Sequence, residues 1–330
     1  MQLLRFAKPI MVSALASLAL TACAKVEIAA PHMAPLPKDA RMLLGRKHMT
    51  EKSPIFLRIF KAESELEVWK QRPDGHFYHF KTYPICNWSG GLGPKLRQGD
   101  KQSPEGFYKV NRHQMNPNSK FHLSFDLGFP NAYDRAHGRT GNFLMVHGKC
   151  RSAGCYAMTD GLIEEIYALA REAFSGGQKA FQVHAFPFRL TQENLARYQG
   201  DRNTHFWRSL KAGYDHFEVT RQVPNVEICN RRYHVNVEWN GRRKLNPRGQ
   251  CPRFRSGPIV PFVAQPGTAN ERIKASGPAA SPNWSPAPQP AATRSQQASV
   301  GQTRYYSGNR RMSLTPPRPR PASIADLLQK

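Results

Sequence analysis

The sequence predicts an α+β fold with a β-rich core, on three observations. Short apolar or alternating runs recur between residues 55 and 146, separated by turn residues. One stretch, Asp160 to Phe174, carries apolar residues at helical spacing. From about residue 252 the composition changes, with thirteen of the 27 prolines between Pro252 and Pro321. A segment so rich in proline and arginine buries too little apolar surface to offset its ordering entropy.

The elements follow in order. Residues 1–23 read as an export segment: Arg5 and Lys8 precede a short apolar run, Ile10 to Ala22, too short to be read first as a membrane span. Residues 24–52, with Pro31, Pro35 and Pro37 and little apolar periodicity, read as a tether. The domain expected over 53–190 opens with the strand Ile55 to Phe60. Glu65 to Trp69 alternates, and Asp74-Gly75 is a turn signal before a strand over His76 to Ile85. Gly90 to Pro104 has no period and reads as a long loop. Phe107 to Val110 and Asn142 to Val146 add strands. Asp160 is the expected cap of a helix through Phe174, stopped by Gly176-Gly177. Phe181 to Phe186 is a strand closed by Pro187. Phe206, Trp207, Leu210, Tyr214 and Phe217 then recur at helical spacing, so 191–251 is expected as a helical extension ending in one strand, Val226 to Val237. Residues 252–330 are expected to be a disordered basic tail.

The chemistry concentrates in His147-Gly148-Lys149-Cys150-Arg151-Ser152-Ala153-Gly154-Cys155. A histidine at a strand end, a glycine-containing loop and a cysteine ahead of a helix together suit an activated thiolate. The imidazole takes the thiol proton and a helix N-terminus favours the anion. Backbone N–H groups around Gly154 and Cys155 suit the oxygen of an attacked carbonyl. The plain alternative makes Cys155 a structural cysteine or half of a disulfide with Cys150. His147, Cys150 and Cys155 also form a cluster of metal-ligand types. It has no clear fourth ligand, and a thiolate on structural zinc is a poor nucleophile, so no metal and no cofactor is expected.

These residues resemble the L,D-transpeptidase catalytic domain (YkuD) family, enzymes of bacterial peptidoglycan. The family pattern is His-Gly followed by Ser-x-Gly-Cys, matched by His147-Gly148 and Ser152-Ala153-Gly154-Cys155. Upstream, Thr82-Tyr83-Pro84-Ile85 and Ser103-Pro104-Glu105-Gly106-Phe107-Tyr108 are similar to two further family motifs. The chain departs from the pattern in a shorter His-to-Cys spacing, in Ala153 where a histidine is usual and in Ala157 where an arginine is usual. With Trp88 to Lys95 and Cys155 to Asp160, those departures resemble the YafK-like branch, of which one member is an amidase that releases lipoprotein from peptidoglycan.

The resemblance implies a YkuD-type core and a thioester formed at the L-centre of diaminopimelate in peptidoglycan stem peptides. Cys155 is the implied nucleophile and His147 the general base. Gly148 supplies a backbone carbonyl that orients the imidazole, and Gly154 an oxyanion N–H. Tyr83, Trp88, Lys95 and Ser152 are implied substrate-binding residues, Ser152 with a structural role as an alternative. The acceptor is an amine or water, so a hydrolytic amidase acting on peptidoglycan-linked lipoprotein is the alternative outcome. A silent peptidoglycan-binding lipoprotein is the rival from another class.

Export organises the rest. Leu20-Thr21-Ala22-Cys23 resembles a lipobox in which Cys23 is lipidated, with ordinary cleavage after Ala24 as the alternative. Ala24, by the familiar rule, directs a lipoprotein to the outer membrane. The expected location is the cell envelope, in the periplasm. A formal net charge of +25 would otherwise suggest nucleic acid. An exported protein instead meets wall carboxylates and lipid phosphates, so no nucleic-acid partner is expected. Export also permits disulfides. Cys229 and Cys251 flank one segment and could close it, Cys86 and Cys150 remain, and spacing leaves the connectivity open.

Overall fold

The computed structural model describes residues 29–241 and 244–263. The expected export segment with Cys23, and the sequence after Val263, lie outside the described residues. In chain order the first elements are α1 (Lys38–Arg46), β1 (Ile55–Phe60), β2 (Glu65–Gln71), β3 (Phe77–Pro84), β4 (Asn87–Trp88) and β5 (Gly106–Asn111). Then come β6 (Met115–Asn116), β7 (Ser124–Asp126), α2 (Ala132–Ala136), β8 (Met145–His147), β9 (Tyr156–Ala157), α3 (Asp160–Ser175) and β10 (Ala180–Phe186). The C-terminal part holds α4 (Gln192–Arg197), α5 (Thr204–Thr220), β11 (Val226–Cys229), β12 (Arg232–Val235), β13 (Val237–Trp239) and β14 (Phe254–Ser256).

Two five-stranded sheets form the body, in the orders β3-β2-β1-β10-β5 and β4-β9-β8-β7-β6. β1 is buried at every position because both of its faces are covered. Ile55, Leu57 and Ile59 enter the main core, shared with the second sheet, α1 and α3. Phe56 and Phe60 point the other way, onto the aromatic residues of α5. Arg58 lies on that second face, fully buried, and pairs with Glu67 at 3.3 Å and Glu218 at 2.7 Å. The row Phe206, Trp207, Leu210 and Tyr214 is therefore a packing stripe, as its helical spacing suggested.

α3 turns Leu162, Ile163, Ile166, Leu169, Ala170 and Ala173 inward and stops at Gly176, where a Cβ would stand 2.1 Å from the Lys52 carbonyl. Its cap is Thr159 rather than Asp160, whose carboxylate instead accepts the Lys149 N–H at 2.8 Å.

Three expectations are corrected. The tether over 24–52 contains α1, which buries Ala40, Leu43 and Leu44 against the main core. Its nine residues give too short a period to stand out, and packing rather than propensity makes the helix. The single strand over Val226 to Val237 is a hairpin, β11 against β12, followed by β13. Asn230 and Arg231, at φ of 48° and 56°, make the left-handed turn between them. The expected tail starts too early: β14 pairs with β13, and the Phe262 N–H reaches the Val219 carbonyl at 2.7 Å.

Candidate active site

The site is built where three short strands of the second sheet meet. β7 and β8 run antiparallel, with Ser124 opposite His147 and Asp126 opposite Met145. β8 and β9 run parallel, with Val146 opposite Tyr156 and His147 opposite Ala157. Carrying that register back one residue sets Cys155 beside Met145, whose N–H donates to Cys155 Sγ at 3.4 Å. Side chains alternate along a strand, so Val146 and Tyr156 point into the core while His147 takes the other face of β8, and Cys155 stands immediately before β9.

Burial and hydrogen bonding prepare both groups. His147 is 3% exposed. Its Nδ1 lies 2.6 Å from the Gly148 carbonyl, which only accepts, so Nδ1 carries the proton and Nε2 is the basic nitrogen. The Phe121 ring covers the imidazole, with centroids 4.7 Å apart. Burial holds the imidazole below its usual pKa, opposed by the Gly148 hydrogen bond. Cys155 is half-buried and is the free cysteine among the described residues. Burial pushes its thiol pKa up; the Met145 N–H and the charge of Lys95 pull it back, and Asp126 adds to the rise. Burial thus biases both groups toward their neutral forms, with the Cys155 thiol donating to the Phe143 carbonyl at 3.5 Å.

Glycine is required at both ends of the connecting loop. At Gly148 a Cβ would stand 2.5 Å from Asp160 Oδ1 and 3.0 Å from the Phe121 carbonyl, and Gly154 adopts φ of +127°. The Gly154 N–H donates to Ser152 Oγ at 3.2 Å. Ser152 in turn donates to the Cys155 carbonyl at 2.7 Å and lies 3.1 Å from Ser89 Oγ. Ser103 donates to that same carbonyl at 3.0 Å. Two hydroxyls thus clamp the backbone of Cys155. Sequence reasoning did not single out Ser103 or Ser89, although Ser103 opens the Ser-Pro-Glu-Gly motif.

The remaining residues implied by the resemblance are spread out. Trp88 is half-buried, its indole N–H donating to Ser64 Oγ at 3.1 Å. Lys95 is buried, held by Asp100 and by the Arg97 carbonyl, with its charge felt at Cys155. Tyr83 is wholly enclosed in the core and donates to Glu165 at 2.8 Å. The helix starts at Asp160, as expected, with the two residues of β9 lying between Cys155 and α3. The long loop from Ser89 is fastened from beneath by Glu105, which accepts from Gly93 N–H at 2.7 Å, Lys61 at 3.0 Å and the Trp207 indole at 2.9 Å.

Two disulfides join Cys86 to Cys150 and Cys229 to Cys251. The first ends inside the loop between His147 and Cys155, and the second closes the segment that the two cysteines flank.

The model of the L,D-transpeptidase catalytic domain, YkuD, matches residues 61–181. The YafK protein of Escherichia coli K12, named as a candidate L,D-transpeptidase, is 47% identical over 184 residues, covering 56% of this chain and 74% of its own. The YafK protein of Escherichia coli O157:H7 matches to the same extent. Among solved structures, the helical cell shape determining protein Pgp2 of Campylobacter jejuni is 18% identical. That match covers 59% of this chain and 80% of the other at a TM-score of 0.33, too low to support an argument. The chain belongs to the L,D-transpeptidase catalytic-domain (YkuD) family, in its YafK-like branch.

Proposed function

We propose that this protein is a cysteine acyltransferase acting on peptidoglycan stem peptides through a thioester at Cys155. One observation carries the reading: the Gly148 carbonyl selects the imidazole tautomer that leaves Nε2 free, on the same strand whose Met145 N–H is bonded to Cys155 Sγ. In this reading His147 Nε2 takes the thiol proton as sulfur attacks the carbonyl at the L-centre of diaminopimelate. The Met145 N–H, already on Sγ, stabilises the thiolate as it forms. The tetrahedral oxyanion is met by N–H groups at Gly154 and Cys155, the Gly154 amide exchanging its bond to Ser152 Oγ for one to the oxyanion. The leaving amine collects the proton from His147, and the thioester remains.

Trp88, Lys95 and Ser152 belong to the substrate groove in this reading. Tyr83, fully enclosed, acts by supporting β3. An amine acceptor ends the cycle as transpeptidation and water ends it as hydrolysis. The YafK-like branch supports the hydrolytic end on peptidoglycan-linked lipoprotein as the second reading. Both require the cell envelope, with Cys23 as the proposed lipid attachment to the outer membrane.

The test is incubation with muropeptides, and separately with lipoprotein-linked peptidoglycan, with products resolved by mass. New cross-links identify a transferase and freed lipoprotein peptide identifies an amidase. Unchanged substrates with intact Cys155 would overturn the catalytic reading in favour of a binding protein.

A further inference from the structure

We infer that the Cys86–Cys150 disulfide is a positioning element for Cys155 and His147, so that reducing this one bond silences the pair while the fold persists. The inference rests on the thioester reading for its biological meaning, but its physical basis is independent of substrate.

β8 and β9 are adjacent and parallel, yet only Gly148 to Cys155 join them. Parallel neighbours usually need a crossover of roughly a dozen residues or more. Here the chain reverses inside a short loop, and the backbone shows it: Lys149 and Cys150 stand at φ of 62° and 47°, in the left-handed region that side-chain-bearing residues avoid. Such a conformation persists only where the surroundings over-determine it. The Lys149 N–H is held by Asp160 at 2.8 Å, and the Cys150 N–H by the Met158 carbonyl at 3.2 Å. The Asn87 side chain reaches the Cys150 carbonyl at 3.4 Å. The covalent member of this set is the bond to Cys86, whose own N–H is fixed on the Ala157 carbonyl at 2.9 Å as the chain enters β4. In the order β4-β9-β8 the disulfide therefore fastens the crossover to the far side of the strand that follows Cys155.

The consequence reaches His147 through one peptide plane. The carbonyl that selects its tautomer belongs to the Gly148–Lys149 peptide, and φ at Lys149 sets the orientation of that plane. If Cys150 is released and Lys149 relaxes to negative φ, the carbonyl turns away from Nδ1 and the tautomer is no longer selected. The fold has other support, since Tyr156 and Val146 are fully buried in the main core. Reduction by a dithiol is balanced: one reagent sulfur attacks the disulfide and its second displaces the mixed bond. Two electrons and two protons pass to Cys86 and Cys150 and the reagent closes as a cyclic disulfide.

The test needs no peptidoglycan. Alkylation of Cys155 by iodoacetamide at pH 7 is followed by peptide mass, with thermal unfolding in parallel. The samples are the oxidised protein, the protein reduced with dithiothreitol, the Cys86→Ser/Cys150→Ser double variant, which keeps Cys229–Cys251, and a disulfide-intact His147→Ala control. We expect reduction and the double substitution each to slow alkylation at least tenfold, to the His147→Ala rate, with cooperative unfolding retained. Reoxidation of the reduced protein should restore the rate. An unchanged or faster rate overturns the inference. So does a loss of cooperative unfolding in the double variant, which would make the bond merely structural. Oxidised protein that alkylates rapidly but leaves muropeptides untouched would sink the thioester function and leave the positioning role standing.

Discussion

Cys155 and His147 are both biased toward their neutral forms by burial, which decides how activity depends on pH. A general base must be unprotonated, and the His147 pKa lies below its usual 6.5. On acidification kcat/KM should therefore fall through a midpoint below 6.5. A pH–rate profile with an acid limb centred above 7 would contradict the buried neutral imidazole. His147→Ala should cut acylation by about two to four orders of magnitude, the usual contribution of a positioned base. Pre-steady-state acylation measures this, and near wild-type rates would move the base elsewhere. His184 is poorly placed for that role, enclosed between the Phe56 and Phe107 rings on the α5 face of the first sheet. Cys155→Ala should end turnover and leave the melting curve in place, since a half-buried thiol contributes little packing.

At the scale of elements, the long loop beside the site depends on Glu105, which is fully buried with Lys61 and also satisfies Gly93 and Trp207. Removing one partner of a buried pair typically costs about 3–5 kcal/mol because the other charge is stranded. Glu105→Ala should lower unfolding free energy by that order in urea titration, and Lys61→Met/Glu105→Gln should recover most of it. A loss under about 1 kcal/mol in the single variant would show that the pair is dispensable. The Ser-Pro-Glu-Gly motif announced Glu105 without its partner, since Lys61 lies far away in sequence with nothing local to mark it. The same limit explains what else was legible. β1, β2, β3 and α3 carry their own periods and appear close to the expected bounds. β7, β8 and β9 are too short to have a period, and β8 and β9 are what bring Cys155 to the strand that carries His147. The sequence singled out Cys155, His147 and Ser152 but not the partners Ser103 and Ser89 or the Cys86–Cys150 pairing, which depend on a fold that brings residues 86, 89 and 103 to the loop at 150–155.

At the scale of the whole molecule, the boundary of the ordered body lies beyond Cys251. Trp239, His234 and Phe254 form a three-ring cluster with centroids 5.0–5.1 Å apart, and Phe262 packs on Tyr78 at 5.5 Å. A chain ending at Cys251 loses β14 and Phe262, exposing the partners they cover. Each kilocalorie lost should lower Tm by about 2–4 °C in a body of this size. A chain ending at Val263 should melt like the full protein, because every described contact is kept. The two truncations should behave alike in a second assay. The sequence beyond Val263 carries Arg310, Arg311, Arg318 and Arg320 among its basic residues, part of the formal net charge of +25. Charge of this kind attracts an anionic wall over a range set by salt. Both shortened chains should sediment less with peptidoglycan sacculi at low ionic strength, and the difference from the full protein should shrink as salt is raised. Equal binding at every salt concentration would make the basic segment incidental to wall association. An early melt of the chain ending at Val263 would show that residues beyond it support the fold.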